Sequence, residues 1–251
     1  KFIHLEWMFL CYFTHVKWIY FDLKEKFSDF LIFGSYPSVY LAKNKKEKIL
    51  YLNELVESYL LKDILKHERL KSPSMLIKLL KLLAFQVGQL VSLNELATQL
   101  NLHVTTIERY LDLLQKSFVI YKLYGFSKNL RNEIKNKCKY YFYDNGIRNG
   151  IITQFNDLNS RNDIGALFEN FIFMERLKKL SYEDYYGERY FWRTYSGEEI
   201  DIIENIDNTL SGFECKYSDK KKKKIPMDWT KNYPQSNYKI INKENYLDFI
   251  I

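Results

Sequence analysis

The sequence predicts an α+β chain: an N-terminal helical segment with a winged helix-turn-helix, then an α/β domain in which one helix precedes a β-meander. Three observations predict it. Between residues 48 and 124, apolar side chains recur at helical spacing in runs broken by capping and turn signals, and the last run gives way to the strand-like Phe118–Tyr124. A further helical run covers residues 165–180, after a loop rich in Asn and Asp. Beyond it, short β-rich runs separated by turn residues continue to Ile241.

The elements follow in order. Residues 1–43 are aromatic and carry a turn signal at Gly34-Ser35-Tyr36-Pro37. From Lys48 to about His67, Leu52, Leu55, Val56 and Tyr59 fall at i, i+3, i+4 and i+7, and Leu60 and Ile64 widen that stripe. Ser72-Pro73 opens the next helix as N-cap and first helical residue, and Gly88 suits its end after Val87. Ser92 and Glu95 form a capping-box pattern ahead of Leu93, Leu96, Ala97 and Leu100. Asn101-Leu102 makes a short turn, and Ile107, Tyr110, Leu111 and Leu114 repeat the buried spacing. Phe118–Tyr124 and Tyr140–Tyr143 read as strands, which completes the winged helix order of helix, helix, turn, helix and two strands.

The second helix of the turn would present Thr105, Thr106, Glu108, Arg109 and Asp112, with His103 at its start. Two acids stand there beside one arginine, whereas helices that read DNA favour Arg, Lys, Asn and Gln. Contact with protein, or a plain scaffold role, therefore stands level with contact with DNA. Arg109 and the basic residues of the expected wing, Lys128, Arg131, Lys135, Lys137 and Lys139, are the candidates for phosphate contact.

From Asp144-Asn145-Gly146 the chain enters its last region. The loop Gln154–Asp163 leads to the helix, and strands are expected at Tyr190–Thr194, Glu199–Glu204, Leu210–Tyr217 and Tyr238–Ile241, with a helix or turn at Asp228–Tyr233. Asp207-Asn208 supplies a hairpin turn. Alternation puts Glu214 and Lys216 on one face of their strand and Phe213, Cys215 and Tyr217 on the other, so that one side is expected to be buried. A hairpin of this length brings Asp201 alongside Glu214.

Two carboxylates and an ammonium in one patch are what a PD-(D/E)xK, restriction-endonuclease-like domain needs. Asp201 and Glu214, with the carbonyl of Cys215, would hold a hard divalent cation such as Mg²⁺ through oxygen. Lys216 would orient and polarise the attacking water. Glu169, on the preceding helix, is either an accessory carboxylate or a polar residue on that helix's exposed side. Asp followed by Glu-x-Lys also arises by chance, and on an exposed strand such charges are simply solvated or paired. The run Lys220–Lys224, with Lys221 and Lys222, is either a solvated loop or a phosphate contact close to the patch.

Composition sets the outer bounds. The 251 residues suffice for two domains, and 47% hydrophobic content suffices for packed cores. A net charge of +7 permits contact with phosphate backbones without establishing it. Cys11, Cys138 and Cys215 are scattered, without Cys-x-x-Cys spacing, which excludes a cysteine zinc site and fits the reduced thiols of a cytoplasmic protein. His4, His15, His67 and His103 lack metal-ligand spacing, and no Gly-x-Ser-x-Gly frames a nucleophile. Every apolar run is broken by charge short of a bilayer span, so no membrane partner is expected. The aromatic N-terminus carries His4, Glu6, His15 and Lys17 and lacks the marks of a signal peptide.

A series of short segments runs through the chain. Gly34-Ser35-Tyr36-Pro37, Tyr59 to Lys62-Asp63-Ile64, Leu83-Ala84 with Gly88-Gln89, Tyr141-Phe142-Tyr143-Asp144-Asn145-Gly146 and Leu167-Phe168-Glu169-Asn170 occur in that order. The series closes on Glu199-Ile200-Asp201 and Glu214-Cys215-Lys216. From about Phe30 to Tyr217 it resembles a large prokaryotic family of AAA-type ATPases whose C-terminal half is a domain of unknown function. The resemblance implies an ATPase domain, then a winged helix, then a PD-(D/E)xK nuclease-like domain, a kind of domain that often loses activity. On that basis residues 1–45 are the end of an ATPase domain, 46–144 a helical and winged-helix domain, and 145–251 the nuclease-like domain. The ATPase domain itself would lie upstream. None of the nine glycines begins a Gly-x-x-x-x-Gly-Lys-Ser/Thr loop, so no ATP site is expected in this chain. The expected function is a DNA- or protein-binding module with a nuclease-like domain; the alternative is a Mg²⁺-dependent DNA endonuclease.

Overall fold

The structure is a computed structural model and describes residues 24–57, 73–128, 137–185, 187–207, 209–218 and 224–251. Among these residues the fold is α+β, with ten α-helices and a mixed sheet of seven strands in the order β1-β3-β2-β4-β5-β6-β7. The chain forms two compact units. One is built from the described residues up to Tyr121 together with Tyr140–Asn162, the other from Lys122–Lys139 together with Asp163–Ile251.

The first unit holds α1 (Phe27–Phe33), α2 (Pro37–Tyr40), α3 (Lys45–Glu54), α4 (Pro73–Phe85), β1 (Leu90–Val91), α5 (Leu93–Leu100) and α6 (Val104–Lys116). Helix α3 starts three residues before the expected Lys48 because the Asn44 side chain accepts the Glu47 N–H and caps it. Tyr59, Leu60, Ile64 and the expected cap Ser72 lie outside the described residues. Helix α4 ends at Phe85, and Gly88 turns the chain at φ 72°. Helices α5 and α6 follow the sequence closely. The Ser92 side chain accepts the Glu95 N–H at 3.4 Å, and Asn101 closes α5 in the left-handed region at φ 52°. Leu96, Ala97 and Leu100 are buried, as are Ile107, Tyr110, Leu111 and Leu114. Thr105, Glu108, Arg109 and Asp112 are exposed, and Thr106 is half-buried. Ser92→Ala removes an oxygen acceptor from an orphan helix N–H, and urea denaturation should register a loss of about 1 kcal/mol.

No helical or strand pattern marks residues 145–151 in the sequence. They form α7 (Asn145–Ile151), every residue of which is buried. Its cap, Asp144, is a two-way clamp: Oδ1 accepts the Ile147 N–H at 3.0 Å and Oδ2 accepts the Ser35 N–H at 2.7 Å. Asn145 Nδ2 donates to the Leu31 carbonyl at 3.3 Å. Asn149 Nδ2 donates to the carbonyls of Leu31 and Ile32 at 3.2 and 2.7 Å. These amides satisfy carbonyls in the last turn of α1 that have no partner within the helix. Arg148 does the same for α4, donating from Nε to the Ala84 carbonyl at 2.7 Å. Its Nη1, and Nη2 of Arg161, both donate to Asn149 Oδ1, at 2.9 and 3.1 Å. Two glycines admit this approach. A Cβ on Gly146 would stand 1.9 Å from the Phe33 carbonyl oxygen, and one on Gly34, at φ 76°, would stand 2.0 Å from Asp144 Oδ1.

The strands β2 (Ile120–Gly125) and β3 (Cys138–Phe142) begin in one unit and end in the other. The second unit adds α8 (Ile164–Tyr182), β4 (Glu188–Arg193), β5 (Glu199–Ile206), β6 (Thr209–Cys215), α9 (Met227–Asn232), β7 (Asn237–Ile241) and α10 (Tyr246–Ile250). Strand β4 pairs parallel with β2 and antiparallel with β5. The β5–β6 hairpin runs in register from Ile206↔Thr209 to Ile202↔Phe213, with Asp207 at φ 49° in its turn. Strand β7 lies parallel to β6, Ser211↔Asn237 through Cys215↔Ile241.

One core cluster gathers Trp192, Ile200, Ile203, Trp229 and Tyr233. Another contact set joins Phe213 to Phe249 of α10, with ring centroids 4.6 Å apart, and Phe168 of α8 to Tyr217 at 5.9 Å. Strand β6 is therefore covered more fully than its alternation predicted, and Glu214 itself is 1% exposed. Arg176 of α8 binds Glu204 through two N–H···O bonds of 2.9 Å and donates to the Phe249 carbonyl at 3.1 Å, tying α8, β5 and α10 together.

Candidate functional site

Continuing the β5–β6 register one pair beyond Ile202↔Phe213 sets Asp201 opposite Glu214. The Asp201 side chain reaches across to the neighbouring strand, where Oδ2 accepts the Cys215 main-chain N–H at 2.8 Å. Glu214 Oε1 lies 2.8 Å from Lys216 Nζ. Asp201, Glu214 and Lys216 thus meet where the hairpin length places them. Burial works against the Lys216 charge, but the Glu214 hydrogen bond and charge, followed by Asp201 and Glu169, raise its pKa. The Cys215 thiol is buried and is pushed well above its ordinary range by desolvation and then by Asp201, Glu169 and Glu214, so it stays protonated.

The centre of the cluster is Lys139, which the sequence placed among the wing's phosphate contacts. That placement is corrected: Lys139 is 1% exposed. Strand β3 begins at Cys138, two residues before the expected Tyr140, so Lys139 belongs to the strand and not to the loop before it. Its Nζ lies 2.5 Å from Glu199 Oε1, 3.4 Å from Glu169 Oε1 and 3.8 Å from Asp201 Oδ1. It also sits 5.6 Å from the Phe191 ring centroid. A lone ammonium at such depth would be very costly. Burial does oppose its charge, but Glu169, Asp201 and Glu199 outweigh that and hold the pKa well above the usual lysine range.

Glu169 therefore faces inward, towards Lys139, and not out from α8. Glu199, which has no part in the Asp and Glu-x-Lys pattern, bridges Lys139 and Arg193, with Nη1 of Arg193 2.9 Å from Oε2. Through these contacts Glu169, Glu199, Asp201 and Glu214 meet the cations Lys139, Arg193 and Lys216.

These residues do not fit a divalent cation as they stand. Among the described residues, no three Asp, Glu, His or Cys side chains are gathered so as to hold a metal ion. The carboxylates surround an ammonium at N···O distances of 2.5–3.8 Å, whereas Mg²⁺ and Ca²⁺ need oxygens at about 2.0–2.6 Å.

Arg109 is exposed on α6. Lys128 is exposed; its N–H donates to the Tyr233 hydroxyl at 3.2 Å and its ammonium lies 5.9 Å from that ring. Arg131, Lys135, Lys221 and Lys222 lie outside the described residues. Among those described, no helix is long and apolar enough to cross a membrane.

Comparison with known proteins finds two family matches along the chain. The family described as "Domain of unknown function (DUF8612)" matches residues 24–158, and "Domain of unknown function (DUF4143)" matches residues 164–247. Lys139 falls in the first match, and Glu169, Glu199, Asp201, Glu214 and Lys216 fall in the second. An uncharacterized protein of Haemophilus influenzae is 29% identical over 158 residues, covering 61% of this chain and 38% of that protein. Uncharacterized proteins of Mycobacterium bovis and Mycobacterium tuberculosis are each 26% identical over 185 residues, 73% of this chain and 41% of theirs. The matched part of the chain thus spans about two fifths of the length of these relatives. No solved structure matches. With more than half of its residues under the first match, the chain belongs to the family described as domain of unknown function DUF8612, and it carries a DUF4143 region after it.

Proposed function

We propose that the chain is the C-terminal region of an AAA-type ATPase-family protein, and that it serves as a DNA- or protein-binding module whose nuclease-like domain does not cut. The observation that carries this reading is the position of Lys139. Of the acids that a PD-(D/E)xK reading assigns, Asp201 and the accessory Glu169 face a cation of the chain itself, as does Glu199 beside them. The order α4, α5, α6, β2 and β3 supports a winged helix, and the pairing of Asp201 with Glu214 and Lys216 behind α8 supports the nuclease-like ancestry. The DUF4143 region is commonly associated with AAA ATPases, and the relatives are longer than the matched part, which leaves room in such proteins for a further domain. A cytoplasmic location belongs to the same reading.

Incubation of linear and supercoiled DNA with wild type, Lys216→Ala and Glu214→Ala, in Mg²⁺ and in Mn²⁺, should leave all three equally silent. The alternative, a Mg²⁺-dependent endonuclease, is favoured by the convergence of Asp201, Glu214 and Lys216. It would be established by wild-type cleavage that Glu214→Ala abolishes and Lys216→Ala slows by about a hundredfold or more. A gel shift separates the partners. Binding to DNA through phosphates should weaken steeply with salt and with Arg109→Ala or Lys128→Ala, while no shift at low salt would assign the module to protein.

A further inference from the structure

We infer that the Lys139 ammonium takes the place of a divalent cation, so that removing it would give this cluster a metal site that the wild type lacks. The inference rests on the reading of the domain as nuclease-like and silent.

The geometry points to substitution and not to an ordinary ion pair. Lys139 Nζ is reached by Glu169 from α8 and by both Glu199 and Asp201 from β5. The three side chains are largely buried, with 16, 21 and 10% exposure, and they offer only carboxylate oxygen to that point. Hard divalent cations take this donor set. Without the ammonium, the farthest of these oxygens, Asp201 Oδ1 at 3.8 Å, would need to close by about 1.2–1.8 Å to reach metal–oxygen distance. Glu214 stands next across the register and brings a fourth carboxylate. Lys216 cannot be the substitute, because it is 39% exposed and its contact is with Glu214. With Lys139 in place, a divalent ion would have to share the same oxygens with a positive charge a few ångströms away, which favours neither. The cation and the carboxylates also come from different family matches, so the substitution joins two regions that could change separately.

The test uses the full 251-residue chain, with Mn²⁺ and Ca²⁺ alone as probes. Calorimetry and thermal unfolding are measured on wild type, Lys139→Ala and Lys139→Met. Wild type should take up neither ion at millimolar concentration and should show no shift in melting temperature. Both variants should bind one ion about tenfold or more tightly than wild type, and their melting temperature should rise with ion concentration as binding linkage requires. Adding Asp201→Asn to Lys139→Ala should abolish the gain. Wild type binding as tightly as the variants overturns the inference, and so do variants that gain no ion. Should both variants be unfolded in the absence of metal, circular dichroism decides: refolding on addition of either ion supports the substitution, and failure to refold overturns it. Cleavage of DNA by the wild type would overturn the silent-nuclease reading. Variants that gain no ion, beside a wild type that neither binds metal nor cuts, overturn this inference alone.

Discussion

Gly146→Ala should destabilise the chain by about 3 kcal/mol. The added methyl would stand 1.9 Å from the Phe33 carbonyl oxygen and 2.9 Å from Asp144 Oδ1. The first of these is backbone and cannot rotate aside. Moving Phe33 away would stretch the Asn145 and Asn149 amides from the carbonyls of Leu31 and Ile32, uncapping the end of α1. Gly165→Ala is the control. It lies in the first turn of α8, and its Cβ would meet nothing within 4 Å, so there the usual gain of alanine over glycine in a helix applies. Urea denaturation should therefore move in opposite directions for the two substitutions. A Gly146→Ala midpoint equal to that of wild type would show that α1 and α7 are not held at this separation.

Lys139→Met should cost about 3–5 kcal/mol in the absence of divalent metal, the usual penalty for removing one partner of a buried ionic cluster. Methionine nearly matches the volume of the lysine stem, so the loss reports the charge and not a cavity. Glu169, Glu199 and Asp201 would then face one another across the vacated position. The double variant Lys139→Met/Glu199→Gln should recover part of the loss, because one of the unmet charges is removed. Lys45–Asp157, with side chains 52 and 86% exposed, supplies the contrast. Breaking that pair should change stability by less than about 1 kcal/mol. Equal, small losses at both sites in thermal unfolding would remove the basis for regarding Lys139 as the cation of the cluster.

The parts of the fold visible in the sequence are those set by local chemistry. Helices α5 and α6 follow from apolar spacing and from two end signals, the Ser92 cap and the left-handed Asn101. The β5–β6 hairpin follows from alternation and a turn, and its register alone brings Asp201 to Glu214. Helix α7 is different. Its residues, Asn145-Gly146-Ile147-Arg148-Asn149-Gly150-Ile151, have poor helix propensity, and they are held by long-range bonds to α1 and α4 that no local window contains. Lys139 was hidden for a related reason. It stands at the end of a basic stretch, and lysines in such runs are usually solvated. The signal that could have found it is its place directly before Tyr140-Tyr141-Phe142, where extending the strand back by two residues makes it a buried position. Glu199 was overlooked beside Asp201 because both lie in a strand that is covered along most of its length, where alternation no longer separates inside from outside.

The interleaving of the two units has a consequence for the order in which the protein can be made. Residues 122–139 leave the ribosome before the stretch 140–162 that completes the first unit, yet they belong with residues 163–251. Lys139 and strand β2 must therefore wait on the nascent chain, the lysine hydrated and the strand without its parallel neighbour β4, until the carboxylates and β4 have been synthesised. Pairing across so long a loop is entropically late, so the second unit closes near the end of synthesis. A fragment begun at Ile164, the boundary that the second family match invites, would reverse that order: Glu169, Glu199 and Asp201 would assemble without Lys139 and with one side of β4 left open to other chains.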